Sequence, residues 1–261
     1  MPILSGPVCI RCGDGLPIAG EFSTSSEECR ACRLAPPAFE RAVAYGRYQD
    51  RMRGAIHALK YDRIHSAARR LGRMLAQAIL KLADQAPSEL LVVPVPLHRS
   101  KHAQRGFNQA RVLARYAVAA LRASRPAWNL KLAPTTLMRL RATESQAGLS
   151  PRQRRINVRG AFQVADAKAV RDRHILLIDD ILTTGATARA ASQALKQAGA
   201  ASVWVATLAR AELVHPFPSP AENDDAGDSQ SNLREHYQDV TESGAREQPA
   251  LASTHSSGDS F

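Results

Sequence analysis

The sequence of 261 residues contains no long uninterrupted apolar run. A helix that crosses a bilayer needs about 20 consecutive, mostly apolar residues, so no membrane span is expected. The first residues also lack a charged segment followed by an apolar core, so we expect no secretory signal peptide. These two absences predict a cytoplasmic protein.

Acidic residues are scarce over most of the chain and abundant only at its end. Residues 1–218 contain 33 lysines and arginines but 15 acidic residues, whereas residues 219–261 contain nine acidic residues and two arginines. A strongly basic body suits phosphate-rich ligands such as nucleotides, pyrophosphate or nucleic acid, although a solvated arginine-rich surface is the alternative. The polar segment 216–261 has no hydrophobic periodicity and is predicted to be a disordered acidic tail.

Aromatic residues are few, at 5% of the chain, and none lies between residue 139 and Phe162. This stretch is rich in arginine and could contact DNA phosphates. Without aromatic side chains, however, it offers no platform on which bases could stack.

Only four cysteines are present, and all lie within the first 35 residues, as Cys9-x2-Cys12 and Cys29-x2-Cys32. Two such turns can complete a tetrahedral metal site, so residues 1–36 are predicted to form a ribbon around a structural Zn²⁺ ion. Four cysteine ligands leave no open coordination position for catalysis. Two disulfides and an iron–sulfur site are the alternatives that the sequence leaves open.

Residues 37–215 alternate between apolar strands and amphipathic helices. Strands are predicted at 39–48, 90–95, 135–140, 173–180 and 202–208, and helices at 52–60, 67–84, 107–121 and 186–199. Residues 96–109 and 123–132 are predicted as loops. Continuous apolar strands separated by helices predict an α/β fold with a parallel sheet flanked by helices.

The stretch of residues 175–187 organises this domain. Four apolar residues lead to Asp179 and Asp180, and a hydroxyl-rich turn follows with Thr183, Thr184, Gly185, Ala186 and Thr187. A turn of this kind at a helix N-terminus binds phosphate, while two carboxylates suit ribose hydroxyls or a bound cation. The pattern predicts a site for a sugar phosphate with Mg²⁺, and an ordinary buried strand with a polar turn is the alternative.

Two other basic segments are predicted to lie at the same edge of the sheet. Arg99, Lys101 and Arg105 follow the strand at 90–95 and could neutralise a pyrophosphate. Residues 139–159 form an arginine-dense connection that suits a flap excluding water from a reaction, although a solvated surface helix is the alternative.

The stretch 175–187 resembles the binding motif for phosphoribosyl pyrophosphate in type I phosphoribosyltransferases. The chain further resembles the ComF family. The resemblance lies in the residues from Pro94 to His98 and from Arg105 to Gln109, in Lys60 with Tyr61, and in the double Cys-x2-Cys pattern. Members of that family join a zinc ribbon to a phosphoribosyltransferase-like domain, and they are associated with natural competence.

The resemblance implies a role for each group of residues. Asp179, Asp180 and Arg105 are expected to be catalytic, and the two carboxylates with the 183–187 loop are expected to bind phosphoribosyl pyrophosphate and Mg²⁺. The pyrophosphate group is assigned to Leu97, His98, Arg99, Lys101 and Arg105. The lid is assigned to Arg141, Gln146, Arg152, Arg155 and Asn157.

Three functions are compatible with these residues. The first is a phosphoribosyltransferase of unknown acceptor, since residues 36–62 show no recognisable base pocket. The second is a module that senses phosphoribosyl pyrophosphate or a nucleotide without turnover and binds single-stranded DNA or a helicase of the uptake machinery. The third is a metal-dependent phosphohydrolase that uses the aspartate pair.

Overall fold

A computed structural model describes residues 7–16, 27–61, 65–141, 153 and 158–211. These residues all fall in one compact unit, Met1–Val214. The helices are α1 (Arg30–Leu34), α2 (Asp50–Tyr61), α3 (His65–Leu80), α4 (Arg99–Arg105), α5 (Gln109–Ser124) and α6 (Ala186–Gln197). The strands are β1 (Arg41–Arg47), β2 (Glu89–Pro94), β3 (Asn129–Leu132), β4 (Leu137–Arg139), β5 (Phe162–Val164), β6 (His174–Leu182) and β7 (Ser202–Arg210).

Five strands form one parallel sheet in the order β1-β7-β6-β2-β3. The central strand, β6, contains the apolar run Ile175–Ile178, which is fully buried. Leu176 and Ile178 face a core shared with α2, α3 and α5, whereas Ile175 and Leu177 face a second core shared with α6. Burial on both faces explains why the run is continuous rather than alternating, and the predicted α/β fold with a parallel sheet flanked by helices is confirmed.

Helices α3 and α5 approach each other closely on one face of the sheet. A Cβ atom added at Gly72 would lie 2.3 Å from Cβ of Tyr116. A glycine is required there because no side chain fits between the two helices.

Two segments predicted as loops contain regular structure. Residues 99–105 form α4. His98 caps its amino-terminal end, because the His98 ring accepts a hydrogen bond from the Ser100 amide, and Gly106 with φ 78° caps its carboxyl end. Residues 129–132 form β3, which pairs with β2 in parallel. Both predictions were wrong because seven and four residues are too short for a clear hydrophobic period, whereas tertiary contacts are enough to stabilise them.

The predicted strand at 135–140 is confirmed as β4, but it belongs to a separate antiparallel pair with β5. The predicted acidic tail lies outside the described residues, and the domain boundaries remain predictions. Within the described part of the chain, no helix has both the length and the apolar character required to cross a membrane.

Candidate functional site

The two adjacent carboxylates lie at the carboxyl end of β6, where parallel sheets bind ligands. Asp179 and Asp180 are part of the strand, and Asp179 pairs in register with Thr207 of β7. The Asp180 amide donates a hydrogen bond to Asp179 Oδ1 at 2.9 Å, and Asp180 is 5% exposed. Loss of water contact, and next the charge of Asp180, raise the pKa of Asp179 to about 8. Two carboxylates this close together therefore gain from a neighbouring cation.

Lys60, near the end of α2, supplies such a cation. Its Nζ atom lies 2.6 Å from Asp180 Oδ2, and the two side chains are 18% and 7% exposed. Burial lowers the pKa of Lys60, but the charges of Asp180 and Asp179 outweigh it and hold the pKa above its usual value. Sequence reasoning used Lys60 only as part of a family resemblance and assigned it no role, because nothing in the chain between residues 60 and 180 indicates that α2 ends beside β6.

Three further cations, Lys101, Arg105 and Arg139, lie close enough for their charges to interact with Lys60 or with Asp179. Burial lowers the pKa of Lys101, and the neighbouring charges of Arg139, Arg105 and Lys60 lower it further. Burial also lowers the pKa of Arg139, while Asp179 opposes that change. Such mutual effects require proximity, so α4 and β4 bring their charges to the edge where β6 ends. Arg139, the first residue of the predicted flap, belongs to β4, where its guanidinium lies 5.4 Å from the ring centroid of Phe162 and its charge interacts with that of Asp179.

The predicted pyrophosphate residues are distributed unequally around this cluster. Lys101 and Arg105 belong to it, and Arg105 also donates to Gln109 Oε1 at 3.3 Å. His98 caps α4, and Arg99 is exposed on that helix. Leu97 is half-buried in the segment that connects β2 to α4.

The hydroxyl-rich turn lies between the carboxylates and α6. Gly185 adopts φ 74°, a left-handed conformation that favours glycine, and its carbonyl accepts from the Arg189 amide at 2.8 Å. The Ala186 amide approaches Thr184 Oγ1 at 3.4 Å. The turn leads directly into the twelve residues of α6, whose first N–H groups have no partner in the helix and favour an anion.

Arg210 holds the backbone of this turn through hydrogen bonds, and it was not identified from the sequence. The guanidinium is 2% exposed, and Nη1 donates to the carbonyl oxygens of Leu182, at 2.9 Å, and Thr183. Its Nη2 atom lies 3.1 Å from Asp14 Oδ1. An arginine at the end of an apolar strand was the available signal, since a buried guanidinium requires a specific partner.

The predicted lid is described only at its two ends. Arg141 Nη2 donates to Arg159 O at 2.8 Å, and the Leu140 amide donates to Ala161 O. Gln146, Arg152, Arg155 and Asn157 lie outside the described residues. Their role in a lid remains a prediction.

A cavity of about 480 Å³ opens elsewhere, beside the amino-terminal ends of β2 and β6. Its lining includes Glu89 and Arg173, which form an ion pair with 61% and 57% exposure. We assign the functional site to the opposite edge, because the charged side chains converge there at the carboxyl ends of the strands.

The four cysteines converge on one point, with their Sγ atoms within 4.8 Å of one another. Cys12 Sγ lies 3.7 Å from Cys29 Sγ, and none of the four forms a disulfide. Tetrahedral Zn²⁺ with sulfur at about 2.3 Å requires sulfur atoms about 3.8 Å apart. Cys9, Cys12, Cys29 and Cys32 therefore fit a structural zinc ion, whereas the disulfide alternative is not observed.

Comparison with known proteins finds one matching family model and several relatives. Residues 105–238 match the phosphoribosyl transferase domain family. A DNA utilization protein YhgH of Salmonella typhimurium is 34% identical over 205 residues, which cover 78% of this chain and 84% of the relative. Competence protein F of Haemophilus influenzae is 29% identical over 212 residues, which cover 80% and 87% of the two chains.

The chain belongs to the ComF family. The phosphoribosyl transferase match includes Arg105, both aspartates and the 183–187 loop, but it begins after Lys60 and the cysteines. The alignments with ComF relatives extend over 205 residues or more, so family membership rests on more than the sugar-phosphate motif.

Proposed function

We propose that this ComF protein binds phosphoribosyl pyrophosphate with Mg²⁺ at the carboxyl edge of its sheet. The observation that carries the proposal is the aspartate pair, in which Asp180 is buried and Asp179 is half-buried, between a hydroxyl-rich turn and a cluster of cations. A sugar that carries phosphate at one end and pyrophosphate at the other matches this arrangement of charges. Mg²⁺, when bound, would screen the pyrophosphate charges.

Each group of residues has a task in this proposal. Asp179 and Asp180 accept hydrogen bonds from the ribose hydroxyls, and Thr183, Thr184, Gly185, Ala186 and Thr187 surround the 5′-phosphate. Lys101, Arg105 and Arg139 neutralise the pyrophosphate, and Arg99 meets it from the exposed side of α4. Lys60 stabilises the carboxylates and is displaced toward the pyrophosphate when the ligand arrives.

Transfer would break the bond between ribose C1 and the pyrophosphate oxygen and form a bond from C1 to an acceptor. The positive charge that develops on the ribose is then stabilised by Asp179 and Asp180. The segment that connects β4 to β5 is proposed as the lid that excludes water, since its two ends are held together beside Arg139. The acceptor is left to experiment, and the test is release of pyrophosphate in the presence of a panel of nucleobases.

Ligand binding can be tested separately from turnover. The full chain should melt at a higher temperature with Mg²⁺ and phosphoribosyl pyrophosphate, and D179N/D180N should show no such shift. A matched control is D166N/D172N, which removes two exposed carboxylates that precede β6 in the chain. Equal shifts in all three proteins, or a shift in none, would contradict the ligand assignment.

We also propose that the protein acts in DNA uptake or utilisation. Support comes from the names of its relatives and from the basic body of the chain. Binding of a fluorescent single-stranded oligonucleotide should weaken steeply with salt, because each neutralised phosphate releases counterions. A protein that binds phosphoribosyl pyrophosphate and DNA but releases no pyrophosphate with any base would be a sensing module, with a helicase of the uptake machinery as its expected partner.

A further inference from the structure

Two arginines connect the zinc ribbon to the turn proposed to hold the 5′-phosphate. Arg210 lies at the end of β7, and it donates hydrogen bonds to Leu182 O, Thr183 O and Ala211 O. Leu182 and Thr183 form the start of the turn. The direction of these carbonyl groups, and hence of the N–H groups that follow them, therefore depends on where the Arg210 guanidinium lies.

The position of Arg210 depends in turn on the ribbon. Asp14 is 2% exposed, and its Oδ1 atom lies 3.1 Å from Arg210 Nη2. An arginine stays charged when buried, so it needs a carboxylate close by. Asp14 supplies that carboxylate to Nη2, while Nη1 donates to the carbonyls of the turn.

Asp14 is fixed by the first pair of cysteines. Its carbonyl accepts from the Cys9 amide at 2.8 Å, and the Gly13 amide donates to the Cys9 carbonyl at 2.8 Å. Gly13 adopts φ 67°, which completes the tight turn around the cysteine pair. A metal ion bound by Cys9 and Cys12 would hold this turn closed, and Asp14 with it.

A second contact joins the ribbon to the other end of the turn. Arg189 lies in the first turn of α6, and its amide donates to the carbonyl of Gly185. Its guanidinium donates to Ala35 O and approaches Cys32 Sγ at 3.6 Å. The turn is thus connected to the ribbon on its strand side through Arg210 and on its helix side through Arg189.

We propose that the metal-bound ribbon is a structural part of the 5′-phosphate site, with Asp14 and Arg210 as positioning residues that transmit its order to the 183–187 turn. Neither residue touches the ligand. The ribbon sets the shape of the turn and leaves the pyrophosphate cluster of α4 and β4 unaffected. The identity of the ligand rests on the proposed function, whereas the connection between the ribbon and the turn does not.

The proposal predicts a selective loss of binding. We use ribose 5-phosphate as a probe of the turn and inorganic pyrophosphate with Mg²⁺ as a probe of the α4 cluster, and we measure both by calorimetry on the zinc-loaded full chain. D14N should weaken ribose 5-phosphate by about tenfold, the scale of one charge-assisted hydrogen bond, and leave pyrophosphate within about twofold. R210K should have the same selectivity, because a lysine cannot reach Asp14 and three carbonyls together.

A matched control removes an ion pair inside the ribbon that does not reach the turn. Arg11 Nε lies 3.0 Å from Glu28 Oε1, and R11Q removes this contact. R11Q should bind both probes as the wild type does. If R11Q were as selective as D14N, or if D14N and R210K weakened both probes equally, the proposed route through Asp14 and Arg210 would be wrong.

Hydrogen exchange of the 182–187 segment provides a readout that needs no ligand. We expect exchange there to become about tenfold faster in D14N and R210K and after zinc is removed by a chelator, while the β2 amides change little. If wild type binds neither probe but the exchange changes as expected, the proposed function fails and the coupling stands. If wild type binds ribose 5-phosphate and neither the exchange nor the affinity changes in the variants, the coupling is overturned. If a variant does not fold, zinc removal from the wild type decides the question.

Discussion

The ion pair between Lys60 and Asp180 gives a prediction whose magnitude can be worked out from the structure. K60M leaves the Asp180 carboxylate, 7% exposed, without its ammonium partner at 2.6 Å. Removing one partner of a buried pair costs about 3–5 kcal/mol, and because Lys60 keeps some contact with water we expect a smaller cost, about 2–3 kcal/mol. For a domain of roughly 200 residues this lowers Tm by about 5–10 °C.

The assay is thermal and urea unfolding of K60M, D180N and the double variant at pH 7.5. The double variant should be more stable than K60M alone, because the unpaired charge is removed with its partner. Added Mg²⁺ should stabilise K60M more than the wild type, since the ion replaces the missing ammonium.

A control lysine separates this effect from general loss of packing. Lys81 is more exposed than Lys60, and its Nζ atom donates to the carbonyl of Ala44 at 2.7 Å rather than to a carboxylate. K81M should cost about 1 kcal/mol, the value of an ordinary hydrogen bond. The reasoning is refuted if K60M is no less stable than K81M, or if D180N fails to restore stability to K60M.

Three further predictions concern single residues. The pKa of Asp179 is raised from an ordinary value of about 4 to about 8, so the folded state binds this proton more tightly than the unfolded state, and stability falls as pH rises through that window. D179N should therefore remove the slope of stability against pH in urea unfolding measured from pH 4.5 to 8.5. An unchanged slope would mean that another group causes it. G72A should destabilise the folded protein by about 1–3 kcal/mol, because the new Cβ would meet Tyr116. The control G54A lies in α2, where a Cβ meets nothing within 4 Å, and it should stabilise the protein by up to about 1 kcal/mol. Similar urea midpoints for the two variants would contradict the close approach of α3 and α5. G185A should destabilise the protein by about 1–2 kcal/mol, because φ 74° is strained for alanine. It should also weaken the binding of ribose 5-phosphate in calorimetry. An unaltered affinity would mean that the turn does not contact the phosphate.

Much of the fold was predictable because its signals are local. The apolar run of β6 is continuous because both faces of the strand are buried, and the helices on either side keep a clear period. The short elements α4 and β3 were missed for the opposite reason, since their few residues are stabilised by the sheet rather than by their own pattern. The zinc ribbon was predictable from cysteine spacing alone, because each turn of two cysteines is a local unit.

The sequence by itself determined which residues at the end of β6 are candidates for binding and catalysis. A carboxylate pair followed by a hydroxyl-rich turn is contiguous, so Asp179, Asp180 and the 183–187 loop could be read directly from the chain. Lys101 and Arg105 were also identified, because they follow a strand whose carboxyl end must reach the same edge of a parallel sheet.

Only the tertiary structure decided which charges meet. Lys60 is 120 positions from Asp180, and Asp14 is 196 positions from Arg210, yet each pair is in contact. Ion pairs of this kind show no periodic pattern in the sequence. The partners are brought together by the order of the strands and by the packing of the ribbon, and not by their spacing along the chain. The tertiary structure therefore places an ammonium group beside the carboxylates of the motif, and it connects the four-cysteine ribbon to the hydroxyl-rich turn.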